Sequence, residues 1–89
     1  MDQPAFTDAQ LEAAVLALVR QRGPLSSAYP SEVARSLSPN AWRTLMPRVR
    51  DVAGRLAQAG LLDISQRGQS VPPQGPWRRP IRVRLPLSD

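Results

Sequence analysis

The chain contains no cysteine, no histidine and no lysine. Without cysteine there are no disulfide staples, and without cysteine or histidine there is no zinc site of the usual kind. The same absences remove cysteine, histidine and lysine from the list of catalytic nucleophiles and bases. No apolar run approaches the roughly twenty residues of a membrane-spanning helix. The N-terminus lacks a basic segment followed by an apolar core, so no secretory leader is expected; the expectation is a soluble, cytoplasmic protein. Aromatics are scarce: Phe6, Tyr29, Trp42 and Trp77. The five glycines are isolated, so no glycine-rich phosphate loop is present. The carboxylates Asp2, Asp8, Glu12, Glu32, Asp51, Asp63 and Asp89 are scattered, and only Asp8 and Glu12 share a helical face, where first-turn acids suit the helix dipole. Neither an enzyme nor a cofactor is expected.

What the chain has is arginine. Its 12 basic residues are all arginine, against 7 acids, for a net charge of +5 over 89 residues. Arginine offers planar, bidentate donors for phosphate and guanine, and a positive excess favours polyanion partners. Genomic composition is the competing account. A chain of this length makes one small domain and buries only about 60% of the surface its unfolded form exposes.

The apolar pattern reads as three helices followed by strands. Thr7 and Gln10 form a capping box, with Phe6 and Leu11 as a hydrophobic staple. Leu11, Ala14, Val15, Leu18 and Val19 recur at helical spacing until Gly23-Pro24, predicting a helix over 8–22. Ser31 is the predicted N-cap of a short helix, Glu32 to Leu37. Ser38 is expected to cap the third, with Pro39 in its first position. Trp42, Leu45, Met46, Val49, Val52, Ala53 and Leu56 form the apolar ladder of that third helix. Pro47 lies within it and predicts a kink, or two pieces at about 39–45 and 47–59, because proline removes a hydrogen bond and clashes with the preceding turn. Beyond Gly60, Leu62 and Ile64 alternate with polar residues, as do Ile81, Val83 and Leu85. Ser70-Val71 returns antiparallel after a turn at Arg67-Gly68. Pro72, Pro73, Gly75, Pro76 and Pro80 prohibit regular pairing in much of the remainder. The expected class is α+β, a winged helix-turn-helix in one domain over 1–89, with tails at 1–6 and 86–89.

Four stretches carry a family resemblance: Pro30-Ser31-Glu32-Val33-Ala34-Arg35, Trp42-Arg43 with Leu45-Met46-Pro47 and Val49-Arg50, Ile64-Ser65-Gln66-Arg67-Gly68, and Pro80-Ile81-Arg82-Val83-Arg84. Together they resemble the DUF3253 family, small bacterial domains of unknown function assigned to the winged-helix fold. The resemblance runs from about Leu11 to Leu85. It departs at two places, with Tyr29 where a cysteine is common and Arg79 where a glycine is common. The second change adds positive charge to the wing.

In the usual winged-helix mode the third helix enters the major groove and the wing touches backbone nearby. On that helix the side opposite the ladder carries Thr44, Pro47, Asp51, Gly54 and Gln58. Arg43 and Arg50 flank it on one edge, Arg48 and Arg55 on the other, and Asp51 is spaced to pair with Arg55. The wing collects Arg67, Arg78 and Arg79 beside Trp77, which either stacks on a base or covers one end of the core. Arg82 and Arg84 point away from the core, and one of them is placed to face Asp63. The expected site for duplex DNA is therefore Arg43, Arg48, Arg50, Arg67, Trp77, Arg78 and Arg79. The alternative is a protein-interaction or accessory domain without nucleic-acid binding, using the Trp77 wing or the exposed side of the first helix.

Overall fold

A computed structural model describes residues 6–86. Among them run three helices, α1 (Asp8–Arg22), α2 (Pro30–Leu37) and α3 (Trp42–Gln58), and three strands, β1 (Asp63–Gln66), β2 (Gln69–Ser70) and β3 (Arg82–Arg84). The expected tails at 1–6 and 86–89 lie outside the described residues, apart from Phe6 and Pro86; Phe6 packs against the core. No described helix is long and apolar enough to cross a membrane.

Helix α1 starts and stops where its signals stand. The Thr7 hydroxyl accepts from the Gln10 amide at 3.1 Å, and the Gln10 side chain accepts from the Thr7 amide at 2.8 Å. Two of the four amides that a helix start leaves without partners are thereby satisfied. Gly23 closes the helix at φ 84, a conformation glycine adopts without steric cost.

Two helix starts differ from expectation. Tyr29, not Ser31, precedes α2, and Pro30 takes the first turn, where its missing N–H costs nothing. The work of the cap falls to Glu32, whose carboxylate accepts from the Tyr29 amide at 2.9 Å. Ser38 closes α2, its amide donating to the Ala34 carbonyl at 2.9 Å, rather than opening α3. Pro39 lies in the intervening turn, and α3 begins after Ala41, whose carbonyl accepts from Thr44.

Of the kink or two pieces predicted at Pro47, the two pieces are absent: α3 is continuous from Trp42 to Gln58. Pro47 is exposed, so the Arg43 carbonyl it leaves unpaired lies on the wet side of the helix. The ladder keeps its phase across the proline, with Leu45 and Met46 packed on the same core as the buried Val49, Val52, Ala53 and Leu56. Packing on both sides of the defect holds the helix through it.

The sheet has the order β2-β1-β3, antiparallel throughout. Arg67 and Gly68 join β1 to β2 with φ of 54 and 79, the positive values that a tight hairpin turn requires. The register pairs Asp63 with Arg84, Ile64 with Val83 and Ser65 with Arg82. Since successive side chains alternate between faces, Ile64 and Val83 join the core while Arg82 and Arg84 lie outside. Arg84 donates to Asp63 at 2.8 Å, so it is Arg84 that answers Asp63 across the sheet. A lone bridge from Ala28 to Val83 ties the α1–α2 connection to β3.

Ion pairs stitch the helices. Asp8 accepts from Arg48 at 2.7 Å and from Arg55 at 3.0 Å, and Glu32 pairs with Arg22. Hydrogen bonds from Arg48 and Arg55 hold the Asp8 carboxyl below its usual range. Arg22 and then the Tyr29 amide do the same for Glu32. The unfolded chain therefore binds protons first as pH falls, so stability from these contacts is full above the usual carboxylate range and is lost on acidification below it. The midpoint of urea unfolding is expected to stay flat from neutrality to about pH 5 and then fall, with a shallower fall in Asp8→Asn. Leu11, fully buried, tests the core itself: Leu11→Ala is expected to lose about 2–5 kcal/mol in the same assay.

Candidate nucleic-acid interface

Two edges of α3 are occupied by the protein itself. On one, Arg48 and Arg55 are held by Asp8 at the start of α1. Arg55 is thereby turned away from Asp51, the partner expected for it, and Asp51 has no ion pair among the described residues. On the other edge, the 71–80 loop folds back over the helix. Arg50 donates to the Trp77 carbonyl at 2.7 Å and to that of Arg79 at 3.4 Å. A Cβ at Gly54 would lie 3.0 Å from both the Pro73 carbonyl oxygen and the Trp77 ring. Gly54, expected on the outer face, is buried. The Trp77 indole N–H donates to the Pro72 carbonyl at 2.8 Å, so the ring is fastened to its own loop as well as to α3.

The open strip of α3 carries Arg43, Thr44, Pro47, Asp51, Arg55 and Gln58, with Asp51 its one carboxylate and Arg55 already paired with Asp8. Arg43 lies at its N-terminal end, its guanidinium 4.5 Å from the centre of the Trp42 ring, which Arg35 also approaches at 4.3 Å. Cation–π attraction of this kind is worth about 0.5–1 kcal/mol at an exposed site. Of the helical arginines in the expected site, Arg48 and Arg50 thus hold neighbouring segments in place, while Arg43 stacks on Trp42.

The wing differs. Arg67 at the hairpin tip, Arg79 in the loop and Arg82 on β3 line one open groove of ≈ 920 Å³, together with Tyr29, Gln66, Gln69 and Ser70. Among the described residues no carboxylate lines it. None of these three arginines is in an ion pair among the described residues. Arg82 lies 4.8 Å over the Tyr29 ring and donates to its hydroxyl at 2.9 Å, so one side of its guanidinium is aimed. Gln66 donates to the Arg79 carbonyl at 3.1 Å and fastens the loop to the hairpin across the groove. Arg78 is exposed beside a second, smaller cleft. The structure therefore brings Arg67 and Arg79 into one groove and sets Arg78 next to it. Trp77 is a wall of the adjoining cleft and a cover on α3.

Sequence reasoning did not assign Arg82 or Tyr29 to the site. Arg82 had a signal, its outward position in the Ile81-Val83-Leu85 alternation. Tyr29 had none, because it reaches the groove only through the bridge between Ala28 and Val83.

The chain belongs to the DUF3253 family, whose model, a protein of unknown function, matches residues 8–86. The matched span includes all three helices, the hairpin, the 71–80 loop and β3, so groove and clamp both lie inside the family domain. No curated protein matches the chain.

Because a side chain at Gly54 would meet the Pro73 carbonyl and the Trp77 ring, Gly54→Val is expected to lift the loop off α3. The cost should be about 1–3 kcal/mol, typical of overpacking. Tryptophan emission should shift to the red as Trp77 is uncovered. An unshifted spectrum with unchanged stability would count against the clamp.

Proposed function

We propose that this domain binds nucleic acid through the phosphate backbone, with the β1–β2 hairpin as the contact and α3 as its support. One observation carries the reading: among the described residues, Arg67, Arg79 and Arg82 line a groove without a carboxylate and form no ion pair, whereas Arg22, Arg48, Arg55 and Arg84 are ion-paired and Arg50 is held by loop carbonyls. Phosphate oxygens are the ligand for which unpaired guanidinium groups are suited.

The element order supports duplex DNA as the polymer. Helices α2 and α3 joined by a short turn, followed by a hairpin, follow the winged helix-turn-helix, a class that chiefly binds DNA. The proposal differs from the usual mode in where it puts the contact. A major groove receiving α3 would meet Asp51, and the loop over Gly54 would stand in its way. Contact by the wing avoids both. It also accounts for an arginine at φ 54, a left-handed conformation that costs an ordinary L-residue about 1–2 kcal/mol and that asparagine or glycine would adopt more easily. Strain retained at a ligand-facing position is a mark of use. The activity proposed is binding, without catalysis.

The test separates fold from function at one residue. Arg67→Asn is expected to raise thermal stability, because Asn-Gly is the favoured pair in such a turn, while weakening duplex binding measured by fluorescence anisotropy. Arg67→Glu with Arg79→Glu should weaken it further. With about three phosphates engaged, the slope of log affinity against log salt should lie near −2.7. Asp51→Asn should leave affinity within about twofold, whereas a groove-inserted α3 would gain from losing the carboxylate. Absence of duplex binding at low salt would overturn the proposal and turn attention to a protein partner.

A further inference from the structure

We propose that the cleft adjoining the wing groove receives one unpaired nucleobase, so that the site is suited to a duplex with a single-stranded overhang rather than to an uninterrupted duplex. This rests on the wing reading above and refines its substrate.

Two hollows meet at Tyr29, Arg79 and Pro80, which line both. Their chemistry differs. The first is the arginine groove. The second, of ≈ 380 Å³, is walled by Tyr29, Pro30, Met46, Trp77 and Pro80, with the fully buried Ile81 beneath. Its cations are Arg50, Arg78 and Arg79. Arg50 is engaged with the loop carbonyls and lies 5.6 Å over the Trp77 ring, as Arg82 lies 4.8 Å over that of Tyr29, so each ring already carries a guanidinium on one side, and Arg78 and Arg79 are left to face a ligand. Among the described residues no carboxylate lines either hollow.

An apolar cleft with two aromatic rings, opening into a cationic groove, matches the two halves of a nucleotide. The base offers a planar apolar surface, and the phosphate offers the charge. Sites for single strands combine these same two elements, aromatic surfaces for bases and a positive groove for backbone. A closed duplex presents only its backbone here, because its bases are paired and stacked, and extracting one costs a few kcal/mol. An overhang supplies a free base without that cost, next to the duplex backbone that the hairpin would grip. A purely apolar ligand would leave Arg78 and Arg79 without a counter-charge, and inorganic phosphate alone would leave the aromatic cleft unfilled.

The test compares three labelled DNAs at one low salt concentration by anisotropy: a blunt duplex, the same duplex with a short single-stranded extension, and that extension made abasic. The base-bearing extension is expected to bind on the order of tenfold tighter than its abasic counterpart. Ser31, at the first turn of α2, lines the cleft but not the arginine groove. Ser31→Phe should therefore abolish the preference while keeping blunt-duplex affinity. In the unaltered protein, the base-bearing extension should quench tryptophan emission more than the abasic one, a readout that does not depend on how the variant folds. Equal binding of base-bearing and abasic extensions, with duplex binding intact, would overturn this inference and leave the wing reading standing. Failure of all three DNAs to bind would overturn both.

Discussion

The contact between Gly54 and Trp77 decides what α3 can be. With a bare Cα at that point, the 71–80 loop approaches the helix closely enough for its backbone carbonyl and its indole ring to rest on it. Arg50, one turn earlier, holds the loop by the Trp77 and Arg79 carbonyls. Carbonyls in a proline-rich loop have few backbone donors to meet, and a guanidinium carries five N–H groups in a fixed fork. From this anchorage the chain runs directly through Pro80 and Ile81 into β3. The placement of β3 against β1, and with it Arg82 and the hairpin groove, follows from a loop pinned to a helix.

The same arrangement sorts the arginines. Charge of one sign on a small domain raises its self-repulsion, and much of this charge is met locally. Asp8 takes two guanidinium groups, Asp63 and Glu32 take one each, and Trp42 lies between two more. Individually these surface contacts are weak. Among the described residues they engage arginines of α3 and leave those of the hairpin groove without an ion pair.

Much of this was legible in the residues. Thr7 with Gln10, Arg67-Gly68 as a turn, and Asp63 facing an outward arginine of β3 are local or near-local patterns, each with its own physical cause, and each is present. Other features were not. Pro47 predicted a kink or two pieces because a proline's local cost is plain, whereas the packing that keeps the helix in one piece comes from α1, α2 and the sheet. Ser31 and Ser38 are good capping residues in composition, yet Glu32 reaching back to the Tyr29 amide and the turn through Ala41 took their places. Asp51 looked like the partner of Arg55 at a spacing of four; Asp8, remote in sequence, is the partner. Gly54 looked exposed because the ladder lies opposite to it, and nothing nearby in sequence announces that Trp77 will cover it.

By itself the sequence determined which segments are helix and which are strand, where the hairpin turns, which residues form the core, and that the molecule carries an all-arginine positive charge. These follow from periodicity, turn chemistry and composition, which act over a few residues. The tertiary structure alone decided which arginines remain open to a ligand and which face of α3 meets solvent. Both depend on contacts made across the fold, between Asp8 and α3, between the 71–80 loop and Gly54, and between Tyr29 and Arg82, and such contacts exist only once the chain has closed on itself.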